Sequence, residues 1–296
     1  MISFDANTRA LADIVGKGDQ LLIAQMWRDL AAKPAFPQSL FAAKRTLPQT
    51  LDQAGFRAFS QFDEDGILLY IFALIGTTNR RAIEMAAGVG YESNTANLIV
   101  NHNFTGLLFE GNPDAAWLCE QFYAKYQDTH WNTPVVVDRT WLKCENINEV
   151  ISKHGFAGEI DLFSLDVDGM DYWLLESLSA VQPRVIVVEY NGIFTADVAM
   201  TAAYEPNYSY QEGRASGATL AAFDKLCDRK GYRLVGCNRN CLNAFYVRKD
   251  LAPDLFPAVK VQDCLLSARY PWWQEKGSSY KAWMERNAHF PNWQTV

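Results

Sequence analysis

From residue 81 onward, apolar runs of strand length alternate with segments of helix length, and that alternation leaves few architectures open. The strand-like runs are Arg81 to Met85, Gly106 to Glu110, Pro134 to Asp138, Asp161 to Asp166, Arg184 to Glu189, Tyr232 to Gly236 and Asn243 to Arg248. Between the first five lie Ser93 to Asn101, Asp114 to Lys125, Asn146 to His154 and Asp171 to Leu178. Such a pattern predicts parallel strands joined by right-handed crossovers, with helices on both faces of one α/β sheet. An irregular insertion, Asn191 to Ser216, follows the fifth run, then a helix over Thr219 to Lys230. The last two runs are separated only by the polar Cys237 to Cys241 turn, which predicts an antiparallel hairpin.

The flanking regions have a different character. Residues 8 to 33 carry Leu11, Ile14, Val15, Leu22, Met26 and Leu30 at helical spacing, broken at Gly16 and Gly18, with Asp19 as a cap and Pro34 and Pro37 as stops. Ile67 to Ile75 reads as a buried helix whose first turn holds carboxylates, where the helix dipole favours them. The expected organisation is a helical cap over 1–58, an α/β domain over 59–250 and an aromatic-rich extension over 251–296. That extension holds Tyr270, Trp272, Trp273, Tyr280, Trp283, Phe290 and Trp293, suited to covering the sheet or to a contact between copies in a homo-oligomer.

Charge and composition exclude several partners. With a net charge of -7 over 296 residues there is no broad basic field to draw the chain onto nucleic acid or anionic lipid. The apolar run Ile67 to Ile75 falls well short of the roughly 20 residues that span a bilayer, and the start, MISFDANTRA, lacks a signal-peptide pattern. A cytoplasmic location without membrane attachment is the expectation. The six cysteines are scattered and expected to be reduced, and Cys237 and Cys241 read as small residues of a turn rather than a metal pair. Of the histidines, His102 and His130 suggest surface or satisfied-core roles, and His154 and His289 give no reason to be singled out.

Two constellations carry chemistry. The first is Ile83-Glu-Met-Ala86-Ala-Gly88-Val-Gly90-Tyr-Glu-Ser93-Asn94-Thr95, a strand, a glycine turn and a helix start. Gly88 and Gly90 let the backbone approach a ligand, and Ser93 can cap the helix. Glu110 closes the next strand twenty residues past Gly90, the spacing at which a carboxylate grips ribose hydroxyls. Asp138 closes the third strand similarly and is placed to face an adenine edge. A nicotinamide site is disfavoured, because Ser93 replaces the third glycine and Glu84 lies where a pyrophosphate would sit. A carboxylate there suits the cationic amino-acid end of S-adenosylmethionine (SAM).

The second constellation is Asp161-Leu-Phe-Ser-Leu-Asp166-Val-Asp168-Gly169-Met-Asp171, an apolar run ending in three carboxylates. At a strand end they reach the crevice where open α/β sheets bind ligands. Asp166 is assigned to the SAM amino group, Asp168 to the acceptor as base or anchor, and Asp171 to the helix start. Glu189 and Asn191, at the end of the fifth run, converge on the same centre. A sharper version makes Asp168 and Glu189, together with Asp166, oxygen ligands for Mg²⁺. The alternative is that Asp166 to Asp171 cap a helix while Glu189 pairs with an arginine. Tyr190, Tyr204, Tyr208 and Tyr210 are candidates for lining an acceptor pocket.

Several stretches in order carry a family resemblance: SQFDEDGILLYIF, AIEMAAGVGYESNTANLIV, GLLFEGNP, DLFSLDVDGMDYWLLESL, PRVIVVEYN, YQEGRASGATLAAFDKLCDRKGYRLVG and NAFYVRKDL. Over residues 59 to 250 the chain resembles the FkbM-type group of SAM-dependent methyltransferases. The resemblance implies a Rossmann-like class I methyltransferase sheet, five parallel strands plus a C-terminal antiparallel hairpin. It places Glu84, Gly88 and Gly90 in the SAM loop, with Ala86 and Asn94 counted beside them, and Glu110 on the ribose. Ala86 departs from the pattern by standing where that loop usually has its first glycine. The implied activity is methyl transfer, at oxygen, to a small-molecule or glycan acceptor in biosynthesis. A SAM-using lyase or cyclase releasing methylthioadenosine, and a non-catalytic SAM-binding module, are the alternatives.

Overall fold

The computed structural model describes residues 50–126, 134–192, 194–211, 213–265, 286 and 289–296. The helices expected between residues 8 and 33, His130 and the aromatic residues from Tyr270 to Trp283 lie outside the described residues. Within them the α/β alternation is realised. The order is α1 (Glu64–Ile75), β1 (Arg81–Met85), α2 (Ala96–His102), β2 (Thr105–Phe109), α3 (Pro113–Tyr123), β3 (Val135–Asp138), α4 (Ile147–Lys153), β4 (Gly158–Leu165), α5 (Asp171–Ser177) and β5 (Val181–Glu189). Then follow β6 (Met200–Ala202), α6 (Leu220–Arg229), β7 (Tyr232–Cys237), β8 (Asn243–Arg248) and β9 (Trp293–Thr295).

Seven strands form one sheet in the order β3-β2-β1-β4-β5-β8-β7. The pairs among β1 to β5 are parallel, and β8 runs antiparallel to both β5 and β7. This is the Rossmann-like class I methyltransferase fold, with the expected terminal hairpin inserted beside β5. The chain reverses its direction of travel across the sheet between β1 and β4, which opens a crevice above their carboxyl ends. Strands β6 and β9 pair separately, so the insertion after β5 contains regular structure that its irregular sequence does not announce.

Alternate residues of the central strands feed two cores. Ile83, Met85, Phe109, Phe163, Leu165 and Val188 pack with α4, α5 and α6. Ala82, Leu108, Leu162, Val185 and Val187 pack with α1, α2 and α3. Burial on both faces explains the nearly continuous apolar runs of β4 and β5. None of the described helices is long and apolar enough to cross a membrane.

Local chemistry sets the helix starts. The Asn112 side chain accepts from Asp114 N and Ala115 N, with Pro113 at the first helical position of α3. Thr219 caps α6 through Ala222 N. Helix α2 corrects the sequence expectation: it begins at Ala96 rather than Ser93, and Ser93 does not cap it. The reason is Glu84, whose Oε2 accepts the Thr95 N–H at 2.8 Å and so does from the strand what a cap would do from the chain. The first-turn acids of α1 also do more than face a dipole. Asp65 Oδ2 accepts three backbone N–H groups, from Ala58, Phe59 and Ser60, and folds the preceding segment around itself.

Candidate active site

The loop after β1 turns through three left-handed residues, Ala86 (φ 59°), Gly88 (φ 55°) and Gly90 (φ 91°). At Gly90 a side chain has no room, since a Cβ would lie 2.9 Å from Cys119 Sγ. Beneath the loop, the buried Glu84 Oε1 accepts from Ser164 Oγ at 2.7 Å, and that hydroxyl accepts from Asn94 Nδ2 at 3.0 Å. Ser164 is the register partner of Glu84 on β4. Glu84 therefore ties β1, β4 and the start of α2 together, and burial raises its pKa despite the Ser164 and Thr95 donors. Sequence reasoning found Glu84 and Asn94 but not Ser164, an ordinary small residue inside an apolar run.

Glu110 stands beside this loop. Its Oε2 accepts the Gly88 N–H at 2.8 Å and its Oε1 accepts the Asn112 N–H at 2.7 Å. Each carboxylate oxygen retains further acceptor capacity for a ligand hydroxyl. Around them a cleft of about 710 Å³, open solvent included, is lined by Ala86, Glu110, Gly111, Trp141, Val167 and Tyr208 among others. Trp141 lies against Gly111 so closely that a Cβ on that glycine would come within 2.6 Å of the ring, and it is 46 % exposed. The sequence drew no attention to this aromatic platform, because nothing in its spacing separates it from other loop tryptophans.

Asp138 makes contacts that the sequence did not predict. Its Oδ1 accepts the Thr140 N–H at 2.8 Å, and its Oδ2 meets His154 Nε2 at 2.6 Å and Lys153 Nζ at 3.0 Å. Burial alone would raise its pKa, but the donors of Thr140, His154 and Lys153 outweigh burial and hold the carboxyl well below its ordinary range. The side chain thus anchors α4 to β3. His154, which the sequence gave no reason to single out, is its partner.

The carboxyl ends of β4 and β5 gather the acids. Asp166, Asp168 and Glu189 bring one oxygen each to within 4.8 Å of one another. Among the described residues none of the three forms an ion pair with lysine, arginine or histidine, so the expected arginine partner of Glu189 is not found. Burial first, then the charges of Asp171 and Asp168, push Asp166 up to about 7. Glu189 is raised well above its ordinary value by burial and by Asp166. Asp168 is raised by burial, and its backbone is left-handed at φ 56°.

Asp171 separates from this trio as expected. It is buried at the first turn of α5 and accepts from Val167 N at 2.7 Å and Gly169 N at 2.9 Å, closing the loop that carries Asp168. Asn191 is not part of the trio. Its backbone N–H bonds to Ala218 O and it bridges Thr219, tying the two ends of the insertion together. Between those ends the insertion folds over the cleft. The Tyr208 ring occupies the space a Cβ on Gly169 would need, and the Ser216 hydroxyl donates to the Asp168 carbonyl. Tyr204 Oη donates to Glu145 Oε2 at 2.7 Å on the loop after β3. Tyr204 and Tyr208 line the cleft as expected, Tyr210 is exposed, and Tyr190 corrects its expectation. It is buried in the core, donating to the Cys264 carbonyl.

Cys237 and Cys241 are buried around the β7–β8 turn, and the described residues contain no disulfide. No protein-family model matches this chain. No curated protein matches it either. Among solved structures it is similar to the N-terminal domain of EvdMO1 with SAH bound, at 16% identity and TM-score 0.40, covering 65% of this chain and 88% of that one. Another is the magnesium protoporphyrin IX methyltransferase ChlM of Synechocystis PCC 6803 with bound SAM, at 11% identity and TM-score 0.39, covering 76% and 97%. A third is TehB from Haemophilus influenzae, at 8% identity and TM-score 0.37, covering 64% and 68%. The fold stands on the strand order itself, independently of these likenesses.

Proposed function

We propose that the protein is a SAM-dependent methyltransferase of the FkbM type, acting at an oxygen of a small-molecule or glycan acceptor. One observation carries the reading: the left-handed Ala86–Gly90 loop and the Glu110 carboxylate meet, through Gly88 N, on the wall of one cleft at the switch point of the sheet. A nucleoside fits these residues by its chemistry. Glu110 would accept from the two ribose hydroxyls, Trp141 and Gly111 offer a flat apolar slot for the base, and Ala86 borders the amino-acid end. When bound, SAM supplies an electrophilic methyl group.

The chain's own residues do the rest. Glu84 holds the loop and the α2 start in place, so the cleft is shaped before a ligand arrives. Asp168, the most exposed of the acid trio, would accept the acceptor's hydroxyl proton as the oxygen–methyl bond forms and the sulfur–methyl bond breaks, and Asp166 would serve the cofactor's amino group. Glu189 backs both. The insertion, drawn across the cleft by Tyr204 and Tyr208, excludes water and forms the acceptor's outer wall.

Calorimetric titration tests the cofactor half of this reading. SAM and S-adenosylhomocysteine should bind one site, and Glu110→Ala should weaken both by roughly 10- to 100-fold, the worth of a charge-assisted pair of hydrogen bonds. Unchanged affinity in that variant would overturn the assignment. Turnover with an acceptor library should release S-adenosylhomocysteine; methylthioadenosine would move the protein to lyase or cyclase chemistry, and binding without product to a non-catalytic module.

A further inference from the structure

We propose that Asp166, Asp168, Glu189 and Asn243 form a site for one divalent cation, and that Glu64 orients Asn243 toward it. The proposal rests on reading the carboxyl edge of the sheet as the active site, and it adds a fourth ligand and a supporting residue from the distant N-terminal helix α1.

The acid trio alone does not carry the argument, since such groups can share protons. The deciding group is Asn243. It is the register partner of Glu189 across the antiparallel β5–β8 pair, so both side chains leave the sheet on the same face. Glu84 and Ser164 share that face, since Glu84 pairs with Ser164 and Ser164 with Val187, two residues before Glu189, and Asp166, just past the end of β4, brings an oxygen within 4.8 Å of one of Glu189. Asn243 is only 6 % exposed, and its Oδ1 has no hydrogen-bond partner.

The amide orientation is fixed from behind. Asn243 Nδ2 donates to Glu64 Oε1 at 3.0 Å, and Asn238 Nδ2 donates to the same oxygen at 2.7 Å. Asn238 cannot turn over, because its Oδ1 accepts the backbone N–H groups of Leu242 and Asn243. Turning Asn243 over would set its carbonyl against the Glu64 carboxylate. Glu64 takes one of the two amide N–H groups, and the buried Oδ1 is left with no hydrogen-bond partner beside Glu189, its neighbour across the β5–β8 pair. The three carboxylates and this unpartnered amide oxygen supply the oxygens that Mg²⁺ or Mn²⁺ takes, with further coordination positions left to water and to acceptor oxygens. Glu64 would act through Asn243, as the outer partner of a metal ligand does.

The test is Mn²⁺ titration of the full chain, without SAM, followed by electron paramagnetic resonance. One saturable site, displaced by excess Mg²⁺, is the expected result. Asp168→Asn and Asn243→Ala should each weaken Mn²⁺ at least about tenfold, Glu64→Gln by roughly 10- to 100-fold, and Asn243→Asp should retain or tighten binding. Circular dichroism checks each variant's fold, and the Asn243→Asp variant carries the test if the alanine does not fold. A wild-type signal that stays that of free Mn²⁺ overturns the site, and equal affinity in wild type and Asn243→Ala overturns the role of Asn243. SAM binding, measured separately with and without added Mg²⁺, keeps the two levels apart: SAM bound while no saturable Mn²⁺ site appears sinks the cation site alone, and no SAM binding under either condition sinks the underlying reading.

Discussion

Two aspartates, Asp161 within β4 and Asp166 just past its end, are held in the fold by opposite means. Asp161 is fully buried, accepts the N–H groups of Thr78, Asn79 and Arg80 at 2.6 to 3.1 Å, and is ion-paired with Arg184, whose Nε lies 3.1 Å from Oδ1. Asp166 has carboxylates for neighbours. The first arrangement is complete without a ligand and knits the β1 entry to β4 and β5. The second is complete only when a proton or a cation joins it. Charge compensation, rather than burial or residue type, separates a structural acid from one kept for chemistry.

Breaking the complete arrangement should produce the largest effect. Asp161→Ala would leave three backbone N–H groups without their acceptor and the Arg184 guanidinium without its carboxylate partner inside the protein. Loss of about 3–5 kcal/mol is expected for one partner removed from a buried ion pair. Urea denaturation followed by tryptophan fluorescence measures it, and a loss below 1 kcal/mol would show that water reaches these groups readily. Asp166→Asn should do the reverse, holding or raising stability while abolishing methyl transfer.

A smaller effect follows from pH. With Asp166 raised to about 7 and Glu189 raised well above its ordinary value, both by burial first, the folded protein keeps protons that the unfolded chain, with ordinary carboxylates, has already released. Where the folded state binds more protons, stability falls as pH rises. His102 works in the opposite sense: burial, with the Arg80 charge, lowers it to about 4, but above pH 6.5 it is mostly neutral in both states. Between pH 6.5 and 8 in EDTA the wild type should therefore lose stability, with a limiting slope of about 1.4 kcal/mol per pH unit for each retained proton. Asp166→Asn should flatten that slope. A wild-type profile that is level over this window would mean the acids are already ionised in the fold.

What the sequence revealed and what it hid divide along the same line. Strand ends, the glycine loop, Glu110 and the acids after β4 were legible because periodicity and spacing are local in the chain. Asp171 closed its loop as its position at a helix start implied. Hidden were the pairings that join distant segments: Glu64 with Asn243, Asp138 with His154, Glu84 with Ser164. Each is a polar contact made by sheet register or helix packing, and no local pattern encodes it. Ser93 misled for the same reason, since the group that replaces its cap comes from the neighbouring strand. Asn191, placed beside the acids by its position just after β5, also ties the two ends of the insertion together through its backbone.

Ala86 offers the finest test of how the cofactor loop differs from the acid edge. It is held at φ 59°, in the region where a Cβ crowds the following carbonyl, and it faces the cleft. Gly88, two residues on, has the same conformation with no Cβ and nothing within 4 Å of where one would be. The loop thus tolerates one side chain at some backbone strain, on the side where the ligand would approach. Ala86→Gly should relieve that strain, and the added freedom of glycine in the unfolded chain should offset part of the gain, leaving a net stabilisation of about 0.5 kcal/mol. Thermal denaturation together with a SAM titration reads both consequences. If the methyl group only strains the loop, the melting temperature rises and affinity is unchanged; if it also narrows the approach, affinity rises severalfold. A fall in both would mean that the alanine methyl is part of the packing that holds the loop open, and that glycine at this position lets the loop close onto Glu110.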